Sequence, residues 1–236
     1  GVTYPQAHFI VYNPAENKMR DLGRLASPHV PRVIFTDQWG NCYYVDWRQR
    51  LVKYETSLDK LVFAEKSLPA FPGTPGSAIV TGITAYTKDH QNGIVYLITY
   101  GAKIVAFHPQ EKGIGKYEDL GGVFDLPDGE QWKPYVPNLV LGANGKLYYI
   151  IGGHGNFVKK DKTIMVEFDP ESGKRKIVFE FPVNTMVEAT GSDVIDKNGN
   201  IYFAGRRMVS EEKKGNEEAV NSKPFMIKFN PERPVK

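Results

Sequence analysis

At 236 residues, with 41% hydrophobic and 12% aromatic side chains, the chain is long enough to bury a substantial core as one large all-β domain or two small ones. Its 30 basic and 27 acidic side chains leave a net charge of only +3, and the basic residues are scattered, which gives no support to nucleic-acid binding. Cys42 is the only cysteine, so intrachain disulfides and cysteine-based zinc sites are excluded, and no apolar run reaches the length of a membrane span.

A turn glycine followed three residues later by tyrosine recurs at Gly40/Tyr43, Gly93/Tyr96, Gly145/Tyr148 and Gly199/Tyr202, about 53 residues apart, a spacing that suits one four-stranded propeller blade per repeat. Taken in order, residues 1–25 read as the third and fourth strands of a blade, the third ending at Tyr12-Asn13-Pro14 and the fourth spanning Lys18 to Leu22. X-Pro after a strand stops its continuation and starts a turn.

Residues 32–69 read as a full blade: Val33 to Thr36, a turn through Gly40, Cys42 to Val45, a third strand ending at Tyr54, and Lys60 to Phe63. Cys42 is expected there as a small apolar filler rather than a reactive thiol. Residues 78–124 repeat the plan, with a turn at Asp89 to Gly93, strands Ile94 to Ile98 and Lys116 to Leu120, and the Phe107-His108-Pro109 stop between them. Residues 138–182 repeat it again through Gly142 to Gly145, Leu147 to Ile150, Phe168-Asp169-Pro170 and Lys176 to Phe179.

Residues 192–236 supply the first three strands of a last blade, with Asp196 to Gly199 as turn, Ile201 to Ala204 as second strand and Phe229-Asn230-Pro231 as the third-strand stop. The charged insert Ser210 to Asn221 is expected to be a turn or two of helix or disordered. Asn-Gly and related pairs provide the positive φ of tight hairpins, and charged outer strands guard against edge pairing. The expected fold is therefore all-β, a single propeller domain of four-stranded antiparallel blades, about four to five in this chain. Because the third strand is present at both termini, the strand count points to a larger ring of six to eight blades, completed by the rest of a longer chain or by another chain.

Loops joining second to third strands, and those joining blades, gather on one face of a propeller, where ligands bind on a rigid scaffold. His154 stands between glycines at 152, 153 and 155, which admit close backbone approach to a ligand and suit an acid/base, ligating or hydrogen-bonding histidine; the same glycines equally make a tight turn. Arg206 and Arg207, expected directly after a second strand, suit a carboxylate or phosphate, or alternatively a bridge between blades. Trp47 and Trp132 offer stacking surfaces, and Tyr100, Arg48, Tyr135 and Glu188 complete the polar lining of the face. No P-loop, dinucleotide fingerprint, nucleophile elbow or metal-ligand spacing is present, so no cofactor and no metal site is expected.

The turn Gly or Asn followed by Tyr-Tyr or Tyr-Phe, together with the Phe-Asp-Pro-x-x-Gly turn from Phe168 to Gly173, resembles the repeats of NHL-like and streptogramin-lyase-like propellers over most of the chain. That resemblance implies the propeller fold, and for some of its members a lyase activity with histidine, tyrosine and arginine at the site. Two functions follow as expectations. One is a binding or scaffold propeller that takes a partner or glycan on Trp47, Arg48, Tyr135, His154, Glu188 and Arg207. The other is a lyase for an acidic polysaccharide or lactone-like substrate, with His154 or Tyr100 removing a proton and Arg206 or Arg207 neutralising the carboxylate.

Overall fold

The computed structural model describes residues 1–3, 6–24, 33–69, 82–87, 93–124, 136–151, 163–182, 185–186, 195–214 and 217–233, and among these every regular element is a β-strand. The chain gathers into two compact units, Gly1–Asp119 and Leu120–Lys236.

The first unit opens with a two-stranded antiparallel sheet of β1 (His8–Asn13) and β2 (Lys18–Arg24). Beyond the two strands expected there, residues 1–3 add a third line of pairing. Val2 bridges Phe9, and Gly1 exchanges two backbone hydrogen bonds of 2.8 Å with Ile10. Next come β3 (Phe35–Thr36), β4 (Cys42–Val45), β5 (Arg50–Glu55) and β6 (Lys60–Ser67), each hydrogen-bonded to its neighbour in sequence. The strands β7 (Ile83–Tyr86), β8 (Val95–Thr99), β9 (Lys103–His108) and β10 (Lys116–Gly122) repeat that order, and the division between units falls within β10. In the second unit, β11 (Val140–Leu141), β12 (Leu147–Ile151), β13 (Ile164–Phe168) and β14 (Arg175–Glu180) form another such sheet. A three-stranded sheet of β15 (Thr185–Met186), β16 (Ile201–Lys214) and β17 (Glu217–Phe229) follows. Four-stranded antiparallel sheets in simple up-and-down order are propeller blades, and the fold is an all-β propeller.

Local chemistry explains why the glycine and tyrosine recur. In the β3–β4 turn, the buried Asp37 carboxylate accepts the amides of Trp39 (3.0 Å) and Asn41 (2.9 Å), the Asn41 side-chain amide (3.0 Å) and the Tyr43 hydroxyl (3.0 Å). Gly40 takes the φ of 77° that closes this turn. Before β16, Asp196 repeats the arrangement with Asn198, Asn200 and the Tyr202 hydroxyl, at 2.7 to 2.9 Å. The tyrosine ring serves a second purpose. Phe35 stacks on Tyr43 at 5.0 Å, while Phe107 of the neighbouring sheet meets Tyr43 edge-on at 5.2 Å. In the second unit, Phe229 of β17 reaches Tyr148 of β12 at 5.2 Å. Second-strand tyrosines and third-strand phenylalanines therefore pair between sheets to make the core.

Two expectations are corrected. The insert Ser210 to Asn221 is neither helical nor without regular structure: β16 and β17 continue through it as an antiparallel ribbon, with Ser210 opposite Asn221 and Lys214 opposite Glu217. Arg206 and Arg207 consequently lie within a strand rather than a loop. Arg206 is opposite Met186 and Pro224, and Arg207 is opposite Thr185 and Lys223.

Candidate functional site

The turn between β4 and β5 brings two of the expected binding residues together on a fixed backbone. Asp46, with a side chain only 2% exposed, accepts the amides of Arg48 (2.9 Å) and Arg50 (2.8 Å) and is gripped by the Arg50 guanidinium at 2.8 to 2.9 Å. One carboxylate thus satisfies the donors of the turn and the charge of the strand that follows. Gln49 adopts a left-handed φ of 62°, and its side-chain amide exchanges two hydrogen bonds with the Gly82 backbone, at 2.7 and 3.2 Å. The Arg48 carbonyl accepts the Ser67 hydroxyl at 2.7 Å.

What this scaffold presents is Trp47, 56% exposed, with the Arg48 guanidinium 4.5 Å from the centre of its ring. Among the described residues Arg48 has no carboxylate partner, whereas Arg50 is neutralised by Asp46. Arg50 also lies 5.4 Å from the ring centre of Phe63 on β6, which is itself exposed. The turn therefore shows two arginine–aromatic pairs, and among the described residues only the arginine of the Trp47–Arg48 pair lacks a carboxylate partner.

Tyr100 stands in the adjacent β8–β9 turn, half-buried, and its amide donates to the Gly82 carbonyl at 3.1 Å. Gly82 thus ties the Tyr100 turn to the Trp47–Arg48 turn through Gln49. In the Tyr100 turn, the Thr99 hydroxyl takes the place that the Asp46 carboxylate holds in its own turn. It accepts the Lys103 amide (3.2 Å) and donates to the Pro69 carbonyl (3.1 Å). His154, Trp132, Tyr135 and Glu188 lie outside the described residues, and of Arg206 and Arg207 only the backbone pairing in β16 is described. Tyr100 belongs to the first unit and Arg206 to the second. No group of three or more potential metal-binding side chains occurs among the described residues.

The Asp46–Arg50 clamp and Phe63 were not legible as site residues from residue type alone. Their signal was the spacing of an acid four residues before an arginine across a strand–turn–strand junction.

No known protein family matches the sequence, and no curated protein is similar to it. Among solved structures, the chain is similar to the tricorn protease with a TM-score of 0.44 and 14% identity, over 98% of this chain but only 26% of that one. It is similar to a protein of unknown function from Bacteroides caccae (TM-score 0.45, 7% identity, 98% of this chain and 72% of that one). The corresponding figures for the periplasmic gluconolactonase of Pseudomonas aeruginosa are 0.42, 12%, 94% and 80%. Likeness at these values assigns no activity, and the fold is read from the sheets themselves.

Proposed function

We propose that the protein is a binding propeller that takes an acidic glycan on the Trp47–Arg48 turn. The observation that carries the reading is a tryptophan left 56% exposed on a backbone held in place by a buried carboxylate. A large aromatic ring kept in water gains nothing for folding, while a rigid ring of this kind binds with little loss of entropy. The face of Trp47 turned away from Arg48 suits the apolar face of a sugar, and the Arg48 guanidinium suits a carboxylate beside it. Tryptophan and arginine are also the residues that dominate binding energy where one surface meets another.

The test is a titration of uronate oligosaccharides by isothermal calorimetry, which reads wild type and variants alike. Trp47→Ala is expected to weaken binding about tenfold or more, since each factor of ten is ~1.4 kcal/mol and one stacked contact supplies that much. Arg48→Gln is expected to weaken binding of the acidic oligosaccharide and leave that of a neutral one unchanged. Equal affinities for wild type and Trp47→Ala sink the proposal. A co-purifying protein that is lost with Trp47→Ala would put a protein partner in place of the glycan.

A further inference from the structure

We infer that a linear glycan lies across two neighbouring turns, with an acidic sugar on Trp47 and Arg48 and the adjoining neutral sugar on Tyr100, an inference that rests on the reading of Trp47–Arg48 as a glycan platform. Turns 46–49 and 99–102 are two copies of one device. In each, the fourth residue donates its amide to the carbonyl of the first, Gln49 to Asp46 at 3.0 Å and Ala102 to Thr99 at 2.8 Å. Both fourth residues are left-handed, with φ of 62° and 55°. The side-chain oxygen of the first residue accepts the amide four positions on, Asp46 from Arg50 (2.8 Å) and Thr99 from Lys103 (3.2 Å). Matching backbones place their second residues alike, so Tyr100 holds on its sheet the position that Trp47 holds on the preceding one.

Gly82 joins the two copies. Its carbonyl accepts both the Gln49 side-chain amide (3.2 Å) and the Tyr100 backbone amide (3.1 Å), and its own amide donates to Gln49 Oε1 at 2.7 Å. Two donors on one oxygen keep the Tyr100 backbone within two hydrogen-bond lengths of the Gln49 side chain. The sheets beneath share a core, in which Phe107 meets Phe35 and Tyr43 at 6.0 and 5.2 Å, so the two turns are fixed relative to each other. A preset pair suits a ligand of linked units, because once the first unit is bound the second meets its platform without a separate association.

Charge assigns the units. The basic residue that follows each turn is already paired, Arg50 with Asp46 (2.8 Å) and Lys103 with Asp119 (3.3 Å). The third position differs, with Arg48 on the first turn and Gly101 on the second. A uronate carboxylate is therefore matched on the first turn, while an uncharged sugar suits the aromatic ring of the second.

The probes are methyl glucuronide and a hyaluronan tetrasaccharide, in which glucuronate alternates with N-acetylglucosamine, titrated against the intact chain by ligand-observed NMR, which reads millimolar affinities. The tetrasaccharide is expected to bind about tenfold tighter or more. Tyr100→Ala and Tyr100→Leu, the second of which keeps the apolar bulk of the half-buried side chain, are expected to erase that gain and leave methyl glucuronide binding unchanged. A tetraglucuronate is expected to gain less. Three results would overturn the second subsite: a tetrasaccharide no tighter than methyl glucuronide, a gain that survives both Tyr100 variants, and an equal weakening of both ligands, which would make Tyr100 a support of the first turn. An equal gain for tetraglucuronate would overturn the neutral unit. Methyl glucuronide binding that is absent, or that survives Trp47→Ala, would instead sink the Trp47–Arg48 platform itself and the second subsite with it.

Discussion

Lys53 is fully buried on β5, opposite Tyr43, yet carries a charge into the core. Its ammonium donates to the carbonyls of Gln110 (2.6 Å), Glu111 (2.8 Å) and Gly113 (2.9 Å) and stands 3.6 Å from the Glu55 carboxylate. Glu55 in turn accepts the Gly113 amide at 2.6 Å, with the Lys60 ammonium 3.5 Å from its other oxygen. Two side chains of one blade therefore close the turn that follows the third strand of the next. Lys53→Met preserves the length and apolar bulk of the stem and removes all three donors. Breaking one member of a buried ion pair costs ~3–5 kcal/mol, because the three buried carbonyls lose their donor and Glu55 keeps only Lys60 and the Gly113 amide. In a chain of this size ~1 kcal/mol moves the melting temperature by about 2–4 °C, so a fall of roughly 10 °C is expected in a thermal melt followed by circular dichroism.

The partner variant makes the test sharper. Glu55→Gln in the Lys53→Met background removes the buried charge that has lost its nearer lysine and is expected to recover part of the loss, a coupling that a double-mutant cycle reads directly. Burial pushes the Glu55 carboxyl up, but the Gly113 amide and the two lysines more than offset this and hold it below the ordinary value. A depressed folded pKa gives stability that is present above the unfolded value and lost as pH falls through the folded one. Lys53→Met should therefore raise that folded value and shrink the loss on acidification. A single variant within ~1 kcal/mol of wild type, or no recovery in the double variant, would refute the account.

Two further outcomes follow from named groups. Among the described residues the buried Tyr44 hydroxyl has no hydrogen-bond partner, so Tyr44→Phe is expected to stabilise by ~1 kcal/mol in a urea titration, and a loss of stability would contradict that reading. Asp59 is held down to about 2 from an ordinary 3.8, first by its hydrogen bonds from Arg20 and then by that from Tyr54. Its contribution is present above about 3.8 and drains away as pH falls toward 2; Asp59→Asn should flatten that part of the stability curve, and superimposable acid limbs would exclude it.

The repeated hairpins were legible in the sequence because their causes are local. A glycine at positive φ, a β-branched or aromatic strand and a proline stop act within a few residues, so β4 is found at Cys42–Val45 as read, and the third strands end at Phe107-His108, Phe168 and Phe229 as read. The aspartate clamp was present too, as Asp37, Gly40, Asn41 and Tyr43 and again as Asp196, Gly199, Asn200 and Tyr202, but residue spacing does not show which oxygen a hydroxyl meets. The candidate site was legible only in part. Trp47 and Arg48 could be placed on a turn, while their stacking depends on the local Asp46–Arg50 clamp and on the Gln49–Gly82 bonds, which join residues 33 apart in sequence.

Tertiary pairing decided the rest. The insert from Ser210 to Asn221 is polar enough to read as disordered, yet its two arms extend a ladder already set by Ile201 opposite Phe229, and each added pair satisfies backbone groups at little further cost in entropy. Lys53 looks like a surface residue by type, and only the carbonyls of a turn some 57 to 60 residues away make its burial possible. Local propensity sets the turn and the strand; which buried charge is satisfied depends on groups that meet only when separate sheets pack.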